Sequence, residues 1–481
     1  MAKTKTSKLS VRMYRQGLGD CFLITIPKGN GEPFYMMIDC GVVLGTSEPA
    51  VKLTAVVEDI IETTKGKLDV LVATHEHWDH VSGFVQVPEL FRELEVNEVW
   101  LAWTEDPGNK LAAKLRAERR TAENALRAAA QKLALEGSAE SAHRVDGLIG
   151  FFGASAGSTQ DALAGLKRMG KGKPRFCEPS NPPIQIDVIP GVRFWVIGPP
   201  KDEKLIKKSN PGKGDAYGLD AGPGGSQAFL VSALTRNMGA AGTSAASESI
   251  EEPFDSVYAI PLGRAEQLRF FKERYFGPAI DQGIYDRSAR KAVRDQSWRR
   301  IDSTWMESAE AMALQLDAAT NNTSLALAIE ITKTREILLF PGDAQAGNWL
   351  SWQNLEWNID GKKVTGPELL ARTVFYKVGH HGSHNATLKD KGLELMTSED
   401  LVAMIPVDHG MAVKKNWGRM PLADLVDRLN EKTQGRVLRV DDEETTLEAL
   451  IARKPKEASD AEWKQFTDRV TVTELYYELS F

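Results

Sequence analysis

In the stretch Thr74-His75-Glu76-His77-Trp78-Asp79-His80, four potential metal ligands fall within six residues, directly after the apolar, β-branched run Val70-Leu71-Val72-Ala73. Such a run reads as a buried strand, so the ligands stand at a strand end. Strand alternation can place His75, His77 and Asp79 on one side, and a turn into a helix at Asp79-His80 brings the last imidazole round. Imidazoles with one hard carboxylate suit Zn²⁺, Mn²⁺ or Fe²⁺. The fold is therefore expected to be built around a strand whose carboxyl end opens on a metal site.

Composition bounds the rest. A chain of 481 residues buries at least one large core and has room for two or three domains. Its net charge of −6 excludes the global positive field of a general nucleic-acid binder, so a polyanion would have to be drawn by a local patch or by the metal. Three cysteines, Cys21, Cys40 and Cys177, lack structural-zinc spacing and leave one unpaired in any disulfide scheme, which points to a reducing, cytoplasmic setting. No signal-like apolar core follows the lysines of Met1 to Lys8, and no run of about 18 apolar residues occurs, so no membrane span is expected.

Strands and helices interleave, as in a layered α/β domain. Leu9 to Tyr14, Cys21 to Ile26 and Phe34 to Ile38 read as a meander punctuated by Gly17-Leu18-Gly19-Asp20 and Gly29-Asn30-Gly31. Val51 to Thr63 has helical spacing, and Val99 to Trp103 reads as a strand. The Ala-rich Asn109 to Leu135 predicts an exposed helix, an insertion or an arm for a protein partner. Val192 to Ile197 is a strand halted at Gly198-Pro199-Pro200, and Met238 to Ser249 reads as a mobile loop. Arg264 to Arg300 is basic and aromatic: either a phosphate-tracking surface or, as its interspersed Asp and Glu favour, a solvated helix pair. Strands resume at Ser324 to Ile331, Glu336 to Phe340, Val374 to Val378 and Leu401 to Val407, a helix lies near Leu422 to Leu429, and Val470 to Phe481 is β-rich.

Two later strands end in further ligand types. Leu338-Leu339-Phe340-Pro341-Gly342-Asp343 ends in a carboxylate, and Lys377-Val378-Gly379-His380-His381-Gly382-Ser383 ends in paired imidazoles. Taken in order with His-x-His-x-Asp-His and Val81-Ser82-Gly83, they make the chain resemble the metallo-β-lactamase-fold hydrolases. The likeness sharpens with Gln16-Gly17-Leu18-Gly19-Asp20-Cys21, Ile38-Asp39-Cys40-Gly41, Gly198-Pro199-Pro200 and Asn321-Asn322-Thr323-Ser324-Leu325. That series is similar to the ComEC-like hydrolase domains of DNA-uptake proteins, here without a transmembrane channel. The resemblance implies an αββα sandwich, two mixed β-sheets flanked by helices, with large helical and loop insertions. Its halves would be residues 1–105 and 321–436, with a core strand at 191–200, insertions at 106–190 and 201–320, and a β-rich extension at 437–481.

Carried over, the resemblance gives His75 and His77 to one metal, Asp79, His80 and one of His380 and His381 to a second, and Asp343 as the bridge. Asp39 would orient ligands or water from behind them; Asp20 and Ser383 are weaker candidates for lining the site. A histidine expected between the first motif and the bridging carboxylate is missing: His143 reads as a surface residue, and Asn322-Thr323-Ser324 stands where that ligand would fall. Met420 replaces a further histidine, a substrate contact that His409 could supply, and Lys377, Lys414 and Lys415 are the nearest charge clamps for a phosphodiester. One or two divalent ions are implied, zinc or manganese, with the reduced His count favouring manganese. Asp79 or Asp343 would act catalytically by aligning a water activated by the metal. The leading expectation is a phosphodiesterase or nuclease acting on nucleic acid. The alternatives are hydrolysis of a cyclic nucleotide, phosphocholine ester or lactone, or a partner-gated protein with a partly degenerate site.

Overall fold

The computed structural model describes residues 8–29, 31–135, 150, 153–154, 157–209, 264, 267–274, 304–359, 361–415, 417, 420–456 and 458–481. His143, the segment Met238 to Ser249 and most of Arg264 to Arg300 lie outside them. The chain divides into two compact units, one of Met1–Arg120, Gly147–Pro223 and Gln315–Phe481, the other of Thr121–Asp146 and Gly224–Leu314. The first unit holds both large sheets. In the second, most of the described residues are helical, including the short helix Arg269–Arg274.

The strands of the sheets are β1 (Ser10–Tyr14), β2 (Cys21–Pro27), β3 (Pro33–Cys40), β4 (Lys67–Ala73), β5 (Glu95–Ala102), β6 (Arg175–Cys177), β7 (Ile184–Gln185), β8 (Val192–Gly198), β9 (Ala326–Ile331), β10 (Glu336–Phe340), β11 (Thr373–Lys377), β12 (Val402–Ile405), β13 (Val437–Arg439), β14 (Val470–Val472) and β15 (Tyr476–Ser480). One sheet runs β14-β15-β1-β2-β3-β4-β5-β6, the other β13-β12-β11-β10-β9-β8-β7. Each begins as an antiparallel meander and turns parallel at its middle, at β3–β4 in the first sheet and β10–β11 in the second. The chain's last strand returns to pair with the first, Ser10 opposite Ser480.

Period-two alternation assigns each strand's faces. On β2, Phe22, Ile24 and Ile26 enter the core shared with the second sheet, while Leu23 enters the outer core. On β10, Leu338 and Phe340 face the shared core, and Ile337 and Leu339 face outward. The two sheets thus pack face to face, with Phe22 and Phe340 edge to face at 5.8 Å between ring centroids. Each fully buried aromatic contributes about 1.5–3 kcal/mol by its removal from water.

Helices cover the outer faces. Helix α1 (Pro49–Thr64) starts on a proline, ends at a left-handed Lys65, and buries Leu53, Val56, Val57 and Ile60 against the first sheet. On the second sheet the same role falls to Trp349 and Trp352 of the helix Ala346–Trp352 and to Leu425 and Leu429 of Ala423–Thr433. Because both faces are covered, the central strands read as near-continuous apolar runs.

Two expectations need correction. The helix expected from Asn109 forms as α2 (Lys110–Leu135), but it is not exposed all round. Ala112, Arg119, Ala122, Leu126 and Ala130 are buried at helical spacing, since small residues let one face approach its surroundings closely. The strand expected from Ser324 starts at Ala326, because Ser324 is held in a turn where its hydroxyl accepts the Asp343 N–H. Among the described residues no helix is long and apolar enough to cross a membrane.

The glycines of the first two loops allow the strand ends to converge. A Cβ on Gly41 would stand 2.4 Å from the Asp79 carbonyl carbon, and one on Gly19 would stand 2.4 Å from the Gly41 oxygen. Gly41→Ala is therefore expected to lower stability by about 1–3 kcal/mol, the cost of overpacking. A urea midpoint equal to that of the wild type would contradict the close approach.

Candidate metal centre

The site lies where both sheets turn parallel, at the carboxyl ends of β3, β4, β10 and β11. From β3 comes Asp39, from β4 the stretch Thr74–His80, from β10 Asp343, and from β11 Lys377, His380 and His381. Carboxyl ends of parallel strands are where the chain leaves the sheet and polar side chains can converge.

Asp79, His80, Asp343 and His381 each offer a ligand atom within 4.8 Å of the others, all buried. The surrounding hydrogen bonds fix how each faces the cluster. His80 donates Nδ1–H to Asp39 Oδ2 at 2.8 Å, which turns its Nε2 to within 3.1 Å of Asp343 Oδ2 and 3.8 Å of Asp79 Oδ2. His381 donates Nδ1–H to the Pro406 carbonyl at 2.7 Å, which leaves its Nε2 2.8 Å from Asp79 Oδ2. Asp343 is anchored through Oδ1 by the His380 N–H and by Lys377 Nζ, so Oδ2 is the atom it presents. Buried Asp79 Oδ1 and His80 Nε2 have no hydrogen-bond partner. The raised pKa values of His80 and His381 put N–H protons between imidazole and carboxylate, and two imidazoles with two carboxylates form a set that fits a divalent cation taking the place of those protons.

Electrostatics agree in sign. Burial disfavours ionisation of Asp79, but His80 and His381 outweigh it and hold the carboxyl at about 2. Asp343 is likewise held well below the usual range by His80 and Lys377 against the cost of burial. Burial also opposes charge on His80, yet Asp343, Asp20, Asp39 and Asp79 raise its pKa well above the ordinary value. By contrast, burial and the neighbouring imidazoles keep His75 and His77 neutral, with pKa values well below the ordinary one.

The other candidates divide. Asp39 accepts the Thr74 N–H and hydroxyl as well as His80, so it orients the site from behind. His75 and His77 stay beside the cluster and face each other, His75 Nε2 lying 3.0 Å from His77 Nδ1. His380 diverges from His381: its Nδ1 meets the Ser383 hydroxyl at 2.7 Å and its Nε2 lies 3.5 Å from Asn321 Nδ2. Both histidines are left-handed, φ 42° and 53°, as is Asp39 at 57°.

Three candidates for substrate contact or lining have other work. Lys377 is 1 % exposed, and its three donors reach Asp20 Oδ2 at 2.5 Å, Asp343 Oδ1 and the Gly342 carbonyl, so it compensates carboxylates and has no N–H left for a phosphate. Asp20 is thereby tied to Lys377, with burial raising its pKa. Asn322 takes the Gln345 and Asn348 N–H groups on its oxygen and gives its amide to Lys208, closing a helix start. His409 is exposed and binds the Met420 carbonyl through Nδ1, Lys414 is exposed, and Lys415 is half-buried against Gly45.

Sequence reasoning missed Asp317, Asn321 and Glu76. Asp317 and Asn321 lie one turn apart at the end of α3 (Thr304–Asn321), and Glu76 is ion-paired with Arg119 of α2. The i, i+4 spacing of Asp317 and Asn321 was the available signal, though it is common on helices. Comparison with known proteins finds no protein family that matches the chain and no curated protein similar to it.

Replacing Lys377 with Met leaves Asp20 and Asp343 buried without their shared cation. Without divalent metal the variant is expected to lose about 3–5 kcal/mol of stability, as when one partner of a buried pair is removed. Added Mn²⁺ should recover part of that loss, and an equal loss with and without metal in urea denaturation would rule out charge compensation at this site.

Proposed function

We propose that the chain is a divalent-metal-dependent hydrolase of the metallo-β-lactamase type, related to the ComEC-like domains, and that it cleaves phosphodiesters in nucleic acid. The observation that carries the reading is the pair His80 and His381, each donating Nδ1–H away from the cluster and turning Nε2 onto Asp79 and Asp343. The order of the motifs and the two helix-flanked mixed sheets support the specific αββα fold.

A divalent ion, manganese or zinc, would be held by Asp79, His80, Asp343 and His381, and when bound it supplies Lewis acidity and a water acidic enough to react near neutral pH. The protein's part is positional. Asp39 and the Pro406 carbonyl fix the two imidazoles, the Lys377 ammonium holds Asp343, and Asp79 Oδ1 is the carboxylate atom left to align a water. Preference for an anionic ester rests on the subfamily resemblance. The depth of the site favours a second reading, a small phosphoester or lactone: His75, His77, Asp79, His80, Asp343 and His381 are all at most 3 % exposed.

The test is cleavage by metal-stripped protein resupplied with Mn²⁺ or Zn²⁺, on single-stranded DNA, duplex DNA, RNA and bis(p-nitrophenyl) phosphate. Polymer cleavage is expected with metal, is expected to fall to background in Asp79→Ala and Asp343→Ala, and should weaken steeply with salt. Cleavage of the small diester alone, insensitive to salt, would replace the nuclease reading with the second one. Metal-independent activity would refute the hydrolase mechanism.

A further inference from the structure

The chain of hydrogen bonds behind His75 fixes the direction in which His77 faces. The Thr74 hydroxyl gives its proton to Asp39 Oδ2 at 2.7 Å, so it accepts from His75 Nδ1–H at 3.1 Å. With Nδ1 so engaged, His75 Nε2 is the acceptor for His77 Nδ1–H, 3.0 Å away. By elimination the His77 Nε2 carries a lone pair, and it faces Asp317 Oδ1 at 3.7 Å. That sets two buried ligand-type atoms, an imidazole nitrogen and a carboxyl oxygen, opposite each other.

Asp317 and Asn321 add to the mismatch. Asp317 Oδ2 accepts the Asn321 amide at 3.1 Å, whereas Asp317 Oδ1 and Asn321 Oδ1 have no hydrogen-bond partner, although both residues are more than nine-tenths buried. Asp79 Oδ1 is a third buried oxygen in that state. Buried acceptors without donors are costly unless a cation joins them. Two ligands of one tetrahedral ion at ordinary bond lengths stand about 3.3–3.6 Å apart, close to the separation of His77 Nε2 and Asp317 Oδ1.

We infer that Asp317, held by Asn321, is the carboxylate ligand of a second divalent cation at His77, in place of the histidine missing from the sequence pattern. The inference rests on the metal-dependent reading above. It deepens that reading by giving the second ion one imidazole and one carboxylate, a harder set than the imidazoles of the sequence pattern and one that takes Mn²⁺ as well as Zn²⁺. Asp317 comes from α3, an element outside the two sheets, so the half-site is independent of the strand ends that carry Asp343 and His381.

The test is metal stoichiometry and affinity, by elemental analysis after equilibrium dialysis and by calorimetry, with Mn²⁺ and Zn²⁺ on the full-length chain. The wild type is expected to bind two Mn²⁺ and Asp317→Asn only one, the remaining ion being lost in Asp343→Ala. Asp317→Asn keeps an acceptor for the Asn321 amide and its shape, and circular dichroism and the metal-free Tm check its fold. Asp317→His is expected to regain the second equivalent with its preference moved toward Zn²⁺, a change that a purely structural role would not produce. Two equivalents in Asp317→Asn with both Kd values within about twofold of wild type would overturn the inference, as would a wild type that binds one ion. Either result leaves the hydrolase reading standing, whereas a wild type that binds no divalent ion sinks both.

Discussion

Five carboxylates, those of Asp20, Asp39, Asp79, Asp317 and Asp343, are buried around one strand-end site, and the one ammonium bonded to any of them among the described residues is Lys377. Nothing else among the described residues carries a comparable desolvation cost. Isolated buried carboxylates are either neutralised or matched by cations and donors, so the arrangement of every neighbouring loop answers to this charge. Asp39 is matched by three donors from Thr74 and His80, and Asp20 and Asp343 share Lys377. Asp20, Asp79 and Asp317 keep unpartnered oxygens, and burial beside Asp79 and Asp343 raises the Asp317 pKa well above the ordinary carboxylate value. The deficit falls on the side facing His77, His80 and His381, where a metal would supply what the protein leaves out.

The sheets explain why the groups can meet. Each sheet changes from antiparallel to parallel at its centre, and the loops leaving β3, β4, β10 and β11 emerge at the same end. Alternation packs one face of every central strand into the shared core, which locks the register: a slip of one residue would turn Phe22 and Phe340 outward. A rigid core therefore sets the positions of ligands that come from distant stretches of sequence, as the direct contact of Asp79 with His381 shows.

Much of this was legible in the sequence. The apolar runs before Thr74, Asp343 and His380 announced strands ending in His and Asp side chains, and Cys21 to Ile26 was legible as a strand of a meander. Gly17-Leu18-Gly19-Asp20 was legible as a turn, but the close approaches of Gly19 and Gly41 to neighbouring backbone were not. Three things were hidden for physical reasons. The choice between His380 and His381 could not come from alternation, because both residues are left-handed and the strand rule stops at Lys377. Lys377 looked like a clamp because a lysine ending an apolar strand is usually exposed; only tertiary structure shows two carboxylates closing over it. Asp317 was hidden because its i, i+4 spacing with Asn321 is common on helices, and only tertiary structure shows that this helix end meets His77.

The backbone at the site is under the same constraint as its side chains. Asp39, His380 and His381 are left-handed without being glycine, at about 1–2 kcal/mol each. Such conformations persist only where surrounding contacts over-determine them. Here they do: the Asp39 carboxylate accepts from Thr74 and His80, the His380 N–H is given to Asp343, and His381 is pinned by Pro406. Gly342 and Gly382, also at positive φ, flank the same turns and relieve them of further strain. Relaxing any of the three residues would break a hydrogen bond that orients an imidazole or a carboxylate of the cluster. The strain and the orientation of the ligands are thus one constraint, and it is the chemistry of the cluster, not the packing of the sheets, that requires it.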